Sequence, residues 1–484
     1  MNLISATSLA PRFKRGTLAT VCLATMMLLL DIAVVNAALP SISRDLHTGL
    51  TGVQWVVDAY TLTLGALVLT AGSVADRRGR SRVFTLGIVV FTTASLACAL
   101  ANSIVLLDGA RAVQGLGGAM MFATALAILA DAFPEPRERA GAMAAFGATI
   151  GASVAIGCII GGGLTSWLGW RSVFFINVPL GLIGLIGTYA WIRESRDPAG
   201  RRLDWPGQIT VVAGMFLLVL ALLRGNSDGW GSARTVAEFA GAAAMVIAFV
   251  AIERRVRAPM LPLEMFKRRD FTAAQIAAFA ISSTFFAIYL YITLYLQDVL
   301  KLSPLDAGLT YLPGTTLVLI ISGANAKLAQ RISPAALLGA GLVLVAAGLA
   351  LLTMIGAHSS WTVTLPGILL ASLGTGIFNP TVATLALGAG PPESSGLLAG
   401  VNDAARQGGI AVGTAAFGAL IPAGAELGRG SAVAYVQGLH HALILGAAVA
   451  AAGAMATVVL LGTRRAPEWR PQSVPALEPI AQTV

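Results

Sequence analysis

Windows of roughly twenty apolar residues recur along the whole chain, broken by short polar stretches, and each is long enough to cross a bilayer as a helix. Fourteen are predicted, at 17–38, 54–75, 83–102, 105–130, 140–164, 171–192, 207–223, 235–252, 272–297, 306–329, 334–356, 362–388, 397–421 and 440–462. The breaks are mostly too short to fold alone, so the pattern reads as an all-α integral membrane protein whose backbone polar groups are satisfied inside helices. The polar positions give the orientation. Residues 72–82, GSVADRRGRSR, place four arginines in a tight turn between two spans. Short loops rich in Lys and Arg stay on the cytoplasmic side. With both termini there, 24 of the 32 basic residues fall in inner segments and 6 in outer loops, which supports an even number of spans.

Composition agrees with lipid as the main solvent. The 484 residues are 56% hydrophobic and 11% charged, with mean hydropathy +0.79. Soluble domains carry roughly a quarter charged residues. A net charge of +9 raises the question of nucleic acid, but the charges lie in loops between apolar spans, which excludes that partner. Cys22, Cys98 and Cys158 all sit inside spans and supply neither a disulfide framework nor a zinc site. The first window follows Arg12, Lys14 and Arg15, and its length marks it as an uncleaved span rather than a signal peptide.

The two most charged inner segments, 193–206 and 253–270, bracket the spans at 207–252. This divides the chain into a six-helix bundle at 1–192, a two-helix insert with basic linkers at 193–270, a second six-helix bundle at 271–463 and a cytoplasmic tail at 464–484. An internal echo supports the halves: GLGGAMMFATALAIL from Gly115 aligns with GTGIFNPTVATLALG from Gly374. Parallel six-span repeats are a transporter architecture.

Several strings are more specific: LLLDIAVVNAALP (28–40), WVVDAYTLTLGAL (55–67), GSVADRRGRSR (72–82), RAVQGLGGA (111–119), FFINVPLGL (174–182), LSPLDAGLTYLPG (302–314) and NDAARQGGIAVG (402–413). Together they make the chain resemble the major facilitator superfamily, and within it the fourteen-span drug:proton antiporter group. The resemblance implies export of small amphipathic or cationic compounds by a monomeric fold of two bundles, driven by the proton gradient without a cofactor, in a bacterial cell membrane. One departure stands out. In GASVAIGCIIGGG (151–163) of the fifth span, Cys158 occupies the place of the proline expected in the antiporter motif. Gly157, Gly161 and Gly162 still permit close helix packing.

Charges inside spans are the candidate machinery. A carboxylate at the position of Asp31 costs roughly 2.5–3.5 kcal/mol to insert, a cost that protonation relieves, so Asp31 is a candidate proton or substrate coupler. Arg111 keeps its charge and is a candidate partner for Asp31, with Asp108, three residues away on the same helix, as the local alternative. Asp58 reads as a carboxylate near the outer end of its span, and the resemblance gives it a role toward cationic drugs. Asp403 is a fourth coupling candidate, with Arg406 three residues on as its simplest partner. Gln114, Asn36, Tyr289 and Arg406 are expected to line the cavity. Aromatic pairs 285/289 and 291/295 of the ninth span share faces that suit flat drugs.

The loop residues Gly72, Asp76, Arg77, Gly79 and Arg80 read as a gate, with Asp76 free to pair with Arg80 or a neighbouring span and close the inner side. No nucleotide-binding, metal-ligating or Ser/His/Asp constellation is present, so the expected partners are a small-molecule substrate, protons and the bilayer, and the chain is not expected to be an enzyme. Two alternatives share the scaffold: an exporter of one metabolite or self-made antibiotic, and a lipid-translocating or sensor protein.

Overall fold

The computed structural model describes residues 10–196, 204–256, 259–390, 395–422 and 431–462. The expected tail at 464–484 and part of the first basic linker lie outside the described residues. Fourteen long helices run in sequence: α1 Pro11–Asp45, α2 Leu50–Arg78, α3 Arg80–Ala99, α4 Ile104–Ala132, α5 Pro136–Leu168, α6 Ser172–Trp191, α7 Trp205–Asp228, α8 Ala233–Glu253, α9 Arg269–Val299, α10 Pro304–Leu328, α11 Pro334–Leu352, α12 Trp361–Leu387, α13 Ser395–Gly418 and α14 Ala432–Leu461. Among the described residues, thirteen are long and apolar enough to cross a membrane. The fourteenth, α13, has 24 residues but carries Asp403 and Arg406 in its middle.

Most helices outrun their apolar windows, because charged ends extend into the polar interface, where their side chains stay solvated. The loop expected at 72–82 therefore shrinks to Gly79, whose φ of 119° lies where a side chain is disfavoured. Large apolar side chains such as Val105, Trp167, Ile186 and Ile247 point outward, as lipid-facing surface requires.

Helix packing repeats in the same order in both halves. In the first, α2 and α3 pack on α4, α1 packs on α5 and α6, and α3 packs on α6. In the second, α10 and α11 pack on α12, α9 packs on α13 and α14, and α11 packs on α14. The halves meet along two equivalent seams, α2 with α13 and α5 with α10.

The insert is asymmetric. Helix α8 packs on α7, while α7 lies against both α2 and α13, covering one seam. Leu62 of α2, Val219 and Leu223 of α7, and Ala411 and Ala415 of α13 form a small apolar core there. Gln208 of α7 donates to the Ala66 carbonyl at 2.8 Å and accepts from the Thr70 hydroxyl.

The other seam is held by glycine. A side chain at Gly162 of α5 would place its Cβ 2.5 Å from the Pro304 carbonyl oxygen, and one at Gly308 of α10 would lie 2.4 Å from the Cys158 carbonyl oxygen. Nearer the cytoplasm, a Cβ at Gly147 or Gly323 would meet nothing within 4 Å. This seam is thus tight at its outer end and open at its inner end. Gly162→Val is expected to prop the outer ends apart and cut transport at least ~10-fold, since overpacking costs about 1–3 kcal/mol. Uptake assays on membranes with equal protein content check it; wild-type rates would mean that the seam does not need to close this tightly.

Candidate functional site

Asp31 sits three-fifths of the way along α1, fully buried at 0% exposure. Its Oδ2 is ion-paired to Arg111 of α4, and its Oδ1 accepts from Gln114 Nε2 and from Asn177 Nδ2 of α6, each at 2.8 Å. Gln114 also donates to Ser95 of α3 at 2.7 Å and accepts from Arg111 Nη1 at 2.7 Å. Arg111 in turn donates from Nε to the Val56 carbonyl of α2 at 2.9 Å, and its guanidinium lies 4.3 Å from the centre of the Tyr60 ring. The Asp31–Arg111 pairing considered from sequence is therefore the one formed; Asp108 makes no ion pair among the described residues. This network joins α1, α2, α3, α4 and α6. Arg111 and Gln114 are 1% and 0% exposed, so Gln114 does not line an open cavity as expected but lies sealed within the first bundle.

Asn177, Ser95 and Tyr60 belong to this network without having been singled out in the sequence. Their signal was weak, because an isolated neutral polar residue in a span is common. Only its place within the FFINVPLGL string hinted at Asn177.

Asp58 corrects another expectation. It is completely buried in protein, in the third turn of α2, which begins at Leu50. Neither of its carboxylate oxygens has a hydrogen-bond partner among the described residues. One turn outward on the same face, Gln54 Nε2 donates across the seam to the Tyr291 hydroxyl of α9 at 2.8 Å and to the Thr414 carbonyl of α13 at 3.1 Å. Tyr291 and Asp108 both lie within electrostatic range of Asp58. Asp58 thus sits directly beneath a polar bridge that joins the two halves.

The second half departs from expectation at Asp403. It forms no ion pair with Arg406; its Oδ1 accepts a long 3.4 Å bond from Gln407, and its Oδ2 has no partner among the described residues. Arg406 instead reaches Asn379 of α12 at 3.2 Å and lies 5.4 Å from the Phe286 ring of α9. Local π-helical turns at Ser282–Phe286 and Tyr295–Val299 widen α9. Gly409 and Gly413 of α13 press against the first of these: a Cβ at Gly413 would lie 2.2 Å from the Ser283 carbonyl oxygen. Such turns often mark functional sites, and the sequence pattern did not disclose them.

The expected aromatic cavity faces are only partly available. Tyr291 and Tyr295 are fully buried, with Tyr295 donating to the Gly356 carbonyl at 2.8 Å. Tyr289 stacks on Tyr311 of α10 at 4.0 Å, and its hydroxyl lies 2.9 Å from Cys158 Sγ of α5. Cys158 therefore does more than replace a proline: it joins the two halves while α5 continues unbroken through it. Gly157 and Gly161 pack against Ala33 and Val34 of α1 at 2.5 Å to an added Cβ. Asn36 of α1 is buried, its Nδ2 bonded to the Ile32 carbonyl and its Oδ1 without a partner among the described residues.

The loop residues form a clasp within one half. Arg80 pairs with Asp76 at 2.9 Å and with Asp131 of α4 at 2.7 Å, tying α2, α3 and α4 together. Gly72 lies against Ala123 of α4, and Arg77 is exposed. No group of three or more His, Cys, Asp or Glu residues suited to a metal occurs among the described residues.

The pattern of the Major Facilitator Superfamily matches residues 21–414. The chain is 36% identical over 410 residues to the multidrug resistance protein Stp of Mycobacterium tuberculosis, covering 84% of this chain and 76% of that protein. It is 33% identical over 420 residues to the methylenomycin A resistance protein of Streptomyces coelicolor, covering 86% and 88%. The puromycin resistance protein pur8 of Streptomyces alboniger is 35% identical over 452 residues, covering 92% and 90%. Among solved structures, a POT family transporter superposes with a TM-score of 0.67 at 12% identity, covering 92% of this chain and 95% of that one. The human organic anion transporter MFSD10 gives 0.63 at 15%, covering 93% and 100%. At these identities the structures speak for the fold alone.

Proposed function

The chain belongs to the Major Facilitator Superfamily, as a multi-pass membrane transporter, and on that premise we propose that it exports small amphipathic or cationic antimicrobial compounds in exchange for protons. Relatives named for multidrug, methylenomycin A and puromycin resistance support the export of such compounds. The observation that carries proton coupling is Asp58, a fully buried carboxyl without a partner among the described residues, beneath a bridge between the moving halves. An ionised group there is costly unless a proton or a cationic substrate neutralises it, so occupancy by one excludes need for the other. Asp31 serves differently: three donors hold it as a fixed counter-charge for Arg111. Asp403, also incompletely partnered, is the second coupling candidate.

Alternating access then amounts to opening the Gln54–Tyr291 bridge and the outer end of the α5/α10 seam while the inner ends close. The driving force is sufficient. One proton crossing ~150 mV releases about 3.5 kcal/mol, enough for a substrate gradient of a few hundredfold. On this reading the proton gradient drives transport without a cofactor, and one chain works as a monomer.

The test uses inside-out vesicles energised to an acidic lumen. Compounds that are exchanged should dissipate the pH gradient in proportion to their uptake. A panel of puromycin-like and lipophilic cationic compounds that is taken up without any effect on the gradient rejects the coupling; absence of uptake rejects the substrate class.

A further inference from the structure

At the cytoplasmic rim of the first half, the end of α2, the start of α3 and the residues just past α6 border an open-sided cavity of about 390 Å³. Four arginines line it: Arg77, Arg78, Arg82 and Arg196. The rest of its wall is apolar, Val74, Val83 and Leu86. Neighbouring carboxylates leave this charge largely uncompensated. Asp76 and Asp131 are both engaged by Arg80. Glu194 lies 3.5 Å from Arg82, but its Oε1 also accepts from the Ser81 amide at the start of α3. Arg77, Arg78 and Arg196 form no ion pair among the described residues. Four cations thus face one carboxylate.

The position of the cavity decides what it suits. By the charge bias of the loops, this rim is at the level of the inner-leaflet head groups. Leu86, 49% exposed, continues the apolar wall along the lipid-facing side of α3. A cationic mouth above an apolar wall fits a molecule with an anionic head and a hydrocarbon chain; a soluble anion would leave the wall unused. Basic pockets on the cytoplasmic side of membrane helices favour anionic lipid head groups. We propose that this cavity binds an anionic phospholipid of the inner leaflet, its phosphate among the arginines and an acyl chain along Val74, Val83 and Leu86. The arginines come from both sides of Gly79 and from the first residues of the linker to the insert. A bound lipid therefore pins the α2–α3 turn to that linker.

The experiment uses the full-length protein, delipidated and returned to zwitterionic nanodiscs, with phosphatidylglycerol titrated in. Binding is read by native mass spectrometry and by the rise in thermal stability. Arg78→Gln/Arg196→Gln is compared with Arg254→Gln/Arg255→Gln, which removes the same charge from exposed residues at the end of α8. Wild type and the α8 control should bind alike, and the cavity variant about thirtyfold more weakly, from roughly one surface-charge increment per arginine. Arg78→Lys/Arg196→Lys should retain most of the binding, which separates lost charge from lost fold. Equal weakening in the two Gln variants would reduce the effect to general surface attraction and overturn the proposal. So would unchanged binding in the cavity variant, or equal stabilisation by glycerol 3-phosphate, which would make the site one for soluble anions.

Discussion

Asp31→Asn is expected to destabilise the first bundle by about 3–5 kcal/mol and to abolish transport. The substitution strands the Arg111 guanidinium, 1% exposed, without its counter-charge, and breaking one side of a buried pair carries a cost of that order. Adding Arg111→Met should restore most of the stability, because removing both charges from a dry site is often neutral. It should restore no transport, since the Val56 contact that fixes α2 against α4 and the bond that orients Gln114 are lost with the guanidinium. Thermal unfolding of the three variants in detergent, with uptake measured in parallel, checks both halves of the statement. If the single variant is as stable as wild type, the network does not hold the bundle together; if the double variant transports, Arg111 has no role in the path.

How much of this was legible in the sequence depends on what each residue had to announce. The spans were legible because lipid offers no partner for backbone groups, so each crossing needs its own apolar window. The ends were not, because a helix continues past its apolar window through residues that add little hydropathy; α2 takes in Leu50–Val53 before its window and Asp76–Arg78 beyond it. That earlier start sets Asp58 about one turn further along its helix than the window implied, and the burial of its carboxyl comes from neighbouring helices the sequence does not reveal. Asp31 and Arg111 were visible as lone charges in apolar runs. Their supporting partners Ser95 and Asn177 were not, since nothing in a single sequence tells a hydroxyl or amide that faces a charge from one that bonds its own helix. Arg406 failed as a local pair for the same reason: spacing along α13 suggested Asp403, while the partner it takes, Asn379, comes from α12. The glycines of α5 were read as packing residues, but only three dimensions could say that Gly162 meets the other half and Gly161 its own.

Asp58→Asn should have the opposite signature to Asp31→Asn: full stability with lost coupling. The Asp58 carboxyl has no hydrogen-bond or ion-pair partner among the described residues, so exchanging it for a neutral amide of the same shape removes no interaction. It also removes the cost of a buried ionisable group, so the unfolding temperature should stay level or rise. Transport should suffer in a particular way. Without a group that alternates between proton and substrate, the variant can at best equilibrate a compound, and the few-hundredfold gradient available from one proton at ~150 mV collapses toward unity. In energised inside-out vesicles the variant should therefore leave the pH gradient intact when substrate is added, while a concentration jump of substrate without energy should still drive flux. A variant that still dissipates the gradient would move the coupling role to Asp403. One that loses stability as Asp31→Asn does would show that Asp58 is held by contacts of its own, and the case for a carboxyl kept free beneath the Gln54–Tyr291 bridge would fall with it.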